Sequence, residues 1–111
     1  MQHVREQELS YRNGASGVKY LMRGPRIDWG VLLLLPGETL GQHYHAEVEE
    51  TFYVVEGAAT FVVNGERLAV AAGDVLRMGP TDRHDILNDS AKPCKLVFIK
   101  CPYLPKDKVD C

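Results

Sequence analysis

The chain has no hydrophobic segment long enough to cross a bilayer as a helix. Its most apolar run, Val31-Leu32-Leu33-Leu34-Leu35, has five residues, against the roughly 20 that a membrane-spanning helix needs. The opening stretch MQHVREQELSYRNGAS is polar and charged and contains no signal-peptide core, so a cytoplasmic protein with no membrane partner is expected. Cysteine is scarce. Cys94, Cys101 and Cys111 are odd in number and form no CxxC pair, so neither a disulfide framework nor a zinc knuckle is implied. Reduced thiols are the expectation. An excess of charge of one sign is also lacking: 13 Lys and Arg stand against 15 Asp and Glu, giving a net charge of −2. The basic residues are scattered, which argues against nucleic acid as a partner, because phosphate binding needs a basic stripe. Finally, no sustained 3.6-residue apolar pattern runs through the chain, and no internal repeat divides it.

What the sequence does have is short β-prone runs separated by Gly, Pro, Asn and Asp. Strands are expected near 18–22, 27–35, 39–45, 50–56, 59–64, 66–71, 74–78, 84–88 and 95–100. Asn64-Gly65, between TFVV and ERLAV, is the strongest hairpin signal. Pro36-Gly37, Glu56-Gly57, Gly73-Asp74 and Gly79-Pro80 mark further breaks. A single domain of 111 residues with this many short strands is read as an antiparallel sandwich or small barrel. The last ten residues, PYLPKDKVDC, read as a tail lying over the surface. Val31–Leu35 shows no alternation, so both of its faces should be covered. A partner subunit is the expected second cover, making the protein a homodimer with this run near its seam.

One stretch concentrates chemistry. His43 and His45 are two residues apart and therefore share a strand face. Glu50 follows after the gap Ala46–Glu49 and opens the run TFYVV; a turn or bulge there returns its carboxylate to the imidazole face. Inward placement of Glu50 puts Phe52 and Val54 inside and Thr51, Tyr53 and Val55 outside. His84 brings a third imidazole, with Ile86 and Asn88 on its face. Buried without a cation, such groups would each cost roughly 1–3 kcal/mol as unpaired polar atoms. Three imidazoles and a carboxylate suit a divalent transition metal, with Mn, Fe, Ni, Cu and Zn all compatible. Four protein ligands leave two octahedral positions open, unlike a closed structural zinc site.

The spacings resemble the paired motifs of the cupins. Five residues separate Gly37 from His43, four separate His45 from Glu50, and six separate Glu50 from Gly57, as in the first cupin motif. This spacing also favours Glu50 over Glu49 as the ligand. Gly73, His84 and Asn88 fit the second motif, but Gly79-Pro80-Thr81 stands where its Pro-x-Gly is expected. The resemblance covers roughly residues 28–100. It implies an all-β, antiparallel jelly-roll barrel with His43, His45, Glu50 and His84 as metal ligands and a small organic molecule as ligand or substrate. It further implies a reaction of the dioxygenase type, with isomerisation, epimerisation or elimination of a sugar or sugar acid, or ligand binding without turnover, as rivals.

Other residues are weighed against packing roles. Arg77 is expected outside, with Leu76 and Met78 inside; the reverse parity would make it an anion anchor. Tyr20, Tyr44 and Gln42 can donate hydrogen bonds to a ligand, whereas Tyr53 points outward. Cys94 and Cys101 are read as inert, and His3 as a surface residue.

Overall fold

A computed structural model describes residues 1–111. It contains ten strands: β1 Gly17–Arg23, β2 Asp28–Leu34, β3 His43–His45, β4 Glu49–Glu56, β5 Ala58–Val63, β6 Glu66–Ala71, β7 Val75–Met78, β8 His84–Leu87, β9 Cys94–Cys101 and β10 Lys108–Asp110. They form two five-stranded antiparallel sheets, in the orders β1-β2-β9-β4-β7 and β10-β3-β8-β5-β6. The expected all-β jelly-roll architecture is therefore what the chain adopts, and no helix is long and apolar enough to cross a membrane.

The strand alternation places side chains as expected. Phe52 and Val54 are buried while Tyr53 and Val55 are exposed, and Ile86 and Asn88 are buried with His84. Phe52 and Phe61 meet edge to face across the two sheets, with ring centroids 5.3 Å apart, a geometry that adds to the burial of two large rings. Leu32, Leu34, Val54, Ala59, Cys94 and Leu96 continue the core away from the histidines. Asn64 and Gly65 both have positive φ, 50° and 85°, which closes the β5–β6 hairpin in the mirror-image turn the dipeptide predicts. At Gly57 a Cβ would lie 2.3 Å from the Pro93 carbonyl oxygen, and φ is +83°, so no side chain fits there.

Three expectations change in detail. The strand placed at 39–45 is continuous only over His43–His45, with a single isolated bridge from Thr39 to Leu87 before it. The reason is that the Gly41 N–H is taken by the Asp85 carboxylate at 2.8 Å, so a side chain replaces the ladder there. The C-terminal segment does lie on the surface, but Lys108–Asp110 pairs with His43–His45 as an edge strand. Val31 is only 4% exposed within the single chain, so part of the second cover over the Val31–Leu35 run comes from the chain itself. On that outer face Lys19 lies beside Val31 in register, and the N-terminal arm is pinned there. Glu6 receives Lys95 Nζ at 2.7 Å and Lys19 Nζ at 3.2 Å, and the Lys95 bond holds its carboxyl below the ordinary range against burial.

Candidate metal centre

Two strands of one sheet and one of the other build the centre. β3 carries His43 and His45, and His43 is the register partner of His84 on β8. The chain then crosses to the opposite sheet through Ala46–Val48, and β4 delivers Glu50. His45 Nε2 lies 3.1 Å from Glu50 Oε1, His84 Nε2 lies 3.2 Å from it, and His43 Nε2 lies 3.9 Å from it. All four residues are between 0 and 4% exposed, and their ligand atoms lie within 4.8 Å of one another. Donors sharing one ion at about 2.0–2.2 Å are separated by about 3–4.4 Å, so modest closure completes a coordination sphere.

The ring nitrogens that face away from the centre decide the chemistry of those that face it. His43 Nδ1 donates to the Gly41 carbonyl at 2.9 Å and His84 Nδ1 donates to the Asp82 carbonyl at 2.8 Å. Because a carbonyl can only accept, each Nδ1 carries the proton. In the neutral ring Nε2 is then a bare lone pair aimed at the cluster. A lone pair facing the carboxylate, at 3.2 Å for His84 and 3.9 Å for His43, repels it unless a positive charge, a proton or a metal ion, lies between them. The donor set therefore fits a metal, and the carbonyls supply the outer hydrogen bonds that orient metal-bound histidines. Burial alone would push the Glu50 carboxyl up, but imidazoles of His43, His45 and His84 that carry a proton and donate to it, with the positive charge of Lys100, hold it well below the usual carboxylate range. The carboxylate is thus ready to bind a cation at neutral pH.

Two aspartates outside the four ligands fix the centre. Asp107, in the C-terminal segment, accepts the N–H groups of Glu47 and Val48 at 2.9 and 2.8 Å, clamping the crossing between His45 and Glu50. Asp82 accepts the Gly79 N–H at 2.8 Å and so closes the loop that lacks Pro-x-Gly. In that loop Thr81 holds the position of the motif's glycine with φ +70°, a strained conformation for a β-branched residue. Its N–H donates to the His45 carbonyl at 2.7 Å. The motif residue Asn88 is not a ligand: its amide donates to the Leu34 and Lys92 carbonyls at 2.7 and 2.8 Å, tying β2 to the β8–β9 turn.

A cavity opens beside the cluster, lined by His43 and Glu50 together with Tyr20, Leu40, Phe52, Phe98, Lys100 and other residues. Lys100 is the residue the sequence analysis missed. It shares the inner face of β9 with Leu96 and Phe98, and it is the register partner of Glu50. Parity carried along β9 would have found it. Arg77, by contrast, is exposed on the outer face, with Nε 3.7 Å from Glu49, so the anion-anchor alternative fails for that residue. Tyr53 is exposed, His3 and Gln42 are exposed, and Tyr44 is half-buried. Burial pushes the Cys94 thiol up, in keeping with an inert side chain, and all three cysteines are free.

Comparison with known proteins agrees with this geometry. The cupin domain family matches residues 30–100. The chain is 31% identical over 80 residues to the tetracenomycin polyketide synthase protein TcmJ of Streptomyces glaucescens, covering 72% of this chain and 54% of that protein. It is 41% identical over 64 residues to gentisate 1,2 dioxygenase 1 of Aquipseudomonas alcaligenes, covering 58% of this chain and 18% of that one. It spans about half the length of the polyketide-synthase relatives it matches. Among solved structures, a Klebsiella pneumoniae protein with a double-stranded beta-helix domain superposes with a TM-score of 0.85 at 20% identity, covering 99% of this chain and 96% of that one. With the family match spanning most of its length and the histidine–glutamate cluster inside its barrel, this chain belongs to the cupin family.

Proposed function

We propose that this cupin binds one divalent transition metal through His43, His45, Glu50 and His84 and acts on a small organic molecule as an oxidoreductase of the dioxygenase type. The observation that carries the proposal is the pair of carbonyl-locked imidazoles, His43 and His84, whose bare Nε2 atoms face the Glu50 carboxylate. The similarity to a gentisate 1,2 dioxygenase supports the reaction class. When bound, the metal supplies a Lewis acid and, for a redox-active ion, an oxygen-activating centre. The chain's own residues do the rest. Phe52 and Leu40 keep bulk water from the inner side of the cluster, Tyr20 offers a hydroxyl to the ligand, and the open side of the cavity admits it. A cytoplasmic location, in keeping with three free cysteines, and a homodimer belong to the same proposal. Exposed Tyr53, Val55, Val75 and Ile99 on the outer sheet face support association; a monomer mass by light scattering at micromolar concentration would remove the dimer.

The test is elemental analysis of protein purified without added metal, followed by oxygen uptake with diphenol and diketone substrates. One metal per chain and substrate-dependent oxygen uptake are expected; a metal-free protein that takes up no oxygen after reconstitution would overturn the proposal. A second reading, ligand binding without turnover, is favoured by the cavity lining. Apart from Glu50 and the histidines committed to the cluster, no carboxylate or imidazole faces the cavity to act as a general base. Tight binding with no turnover across the same panel would select it.

A further inference from the structure

We propose that the cavity beside the metal centre selects a small organic anion, whose carboxylate is received by Lys100 while its other end faces the metal position. The inference rests on the metal reading above and names the charge of the molecule that the same site takes.

Every other cation on the strands of the sheet that carries Lys100 is paired with a carboxylate of the chain. Arg23 holds both oxygens of buried Asp28, at 3.0 and 2.9 Å. Lys19 and Lys95 share Glu6. Lys100 is different. It lies between Asp28 and Glu50 in register, yet makes no ion pair with either, because Asp28 is committed to Arg23 and Glu50 to the imidazoles. Its ammonium instead donates to the Tyr20 hydroxyl at 2.9 Å and rests 5.5 Å from the centroid of the Phe98 ring. An ammonium has three N–H donors, and this one has a single protein acceptor, leaving donors free on the cavity side.

The cavity has no anion of its own to offer. Glu50 is its only acidic lining residue, whereas Arg12, Lys100 and Lys108 are all basic. A divalent ion opposed by one carboxylate leaves the centre positive, and Lys100 adds to it. In a partly buried space such unbalanced charge is costly until an anion enters. The walls between the two charged ends are apolar, with Val18, Leu32, Leu40 and Phe52, and suit a short carbon linker. The cavity volume of about 50 Å³ holds only a few water-sized groups, so the enclosed part of the ligand is compact. These features together describe a molecule with metal-binding oxygens at one end and a carboxylate at the other.

The experiment uses two probes that differ only in charge. N-hydroxysuccinamic acid carries a hydroxamate for the metal and a carboxylate at the far end; in its primary amide the carboxylate is replaced by an uncharged group of the same shape. Both are titrated calorimetrically into the metal-loaded protein. The carboxylate probe should bind about tenfold tighter or more, the increment of a charge-assisted hydrogen bond. Lys100→Met should bring the two affinities together while leaving metal content and the amide's affinity unchanged. Tyr20→Phe, which keeps the charge, should retain most of the preference. It serves with wild type, whose preference should shrink as sodium chloride is raised, if Lys100→Met does not fold. Equal affinities in wild type, or an undiminished preference in folded Lys100→Met, would overturn the inference while leaving the metal centre standing. A wild-type protein that retains no metal and binds neither probe would overturn the metal reading, and this inference with it.

Discussion

The interior of the barrel has two ends built by opposite rules. At one end Leu32, Leu34, Val54, Ala59, Cys94 and Leu96 pack with little or no exposure, and the only requirement is shape. At the other, Glu50 and Lys100 on β4 and β9, strands that also serve the apolar end, join His43, His45 and His84 on β3 and β8 with the same inward alternation, yet every polar atom must be aimed. Phe52 and Phe61 divide the two; Phe52 lies 6.1 Å from the His84 ring, centroid to centroid. The contrast teaches that folding energy and metal affinity are stored in different places. The apolar end holds the sheets together without an ion, whereas the polar end depends on outlying hydrogen bonds that contribute little to the core.

The comparison can be broken most forcibly from the apolar side. Phe61→Ala should cost about 3–5 kcal/mol of stability, read as a lowered urea midpoint, while the fraction that stays folded still takes up metal. His84→Ala should do the reverse. Metal affinity should fall by at least about a hundredfold, since even partners of metal ligands cost 10–100-fold, with the circular dichroism spectrum of a folded β protein retained. Unfolding of this variant would mean that the ion is structural. Asp107→Ala removes the clamp over Glu47 and Val48 and should weaken metal binding about tenfold, with the urea midpoint nearly unchanged; equal affinity would show that the crossing holds itself. The smallest effect is expected at Thr81→Gly. Glycine relieves the left-handed strain, worth about 1 kcal/mol, but frees the unfolded chain, so the net change should be a slight gain in thermal midpoint without loss of metal.

The same contrast explains what the sequence made legible. Alternation along single strands is local, and it put His43 and His45 on one face and Phe52, Val54 and Ile86 inside, as found. The Asn64-Gly65 turn was equally local. Contacts that join distant segments left no such pattern. Lys108–Asp110, one valine between two charged residues, gives no strand signal by itself, and only pairing with β3 orders it. Asp107 is one of several charges in the same segment, with nothing to distinguish it before the fold brings it beneath Glu47 and Val48. The second cover over Val31–Leu35 was assigned to a partner because a run without alternation says only that two faces are covered, not by what; the chain itself covers Val31, while Leu33 and Leu35 stay half-buried. Lys100 was within reach of parity, but a lysine at the last position of the expected 95–100 strand reads by default as an exposed end.

The Asp107 clamp makes the C-terminal segment and the metal ligands thermodynamically linked. Whatever order the ion imposes on the crossing between His45 and Glu50 also strengthens the hold on residues 107–110, and by reciprocity a force that peels that strand away weakens the ion's hold by the same factor. The backbone N–H groups of Glu47 and Val48 bonded to Asp107 therefore report metal loading from outside the centre. Their exchange with solvent deuterium should slow when the ion enters, and a polypeptide that captured the edge strand would act as a release lever for the metal without touching any of its ligands.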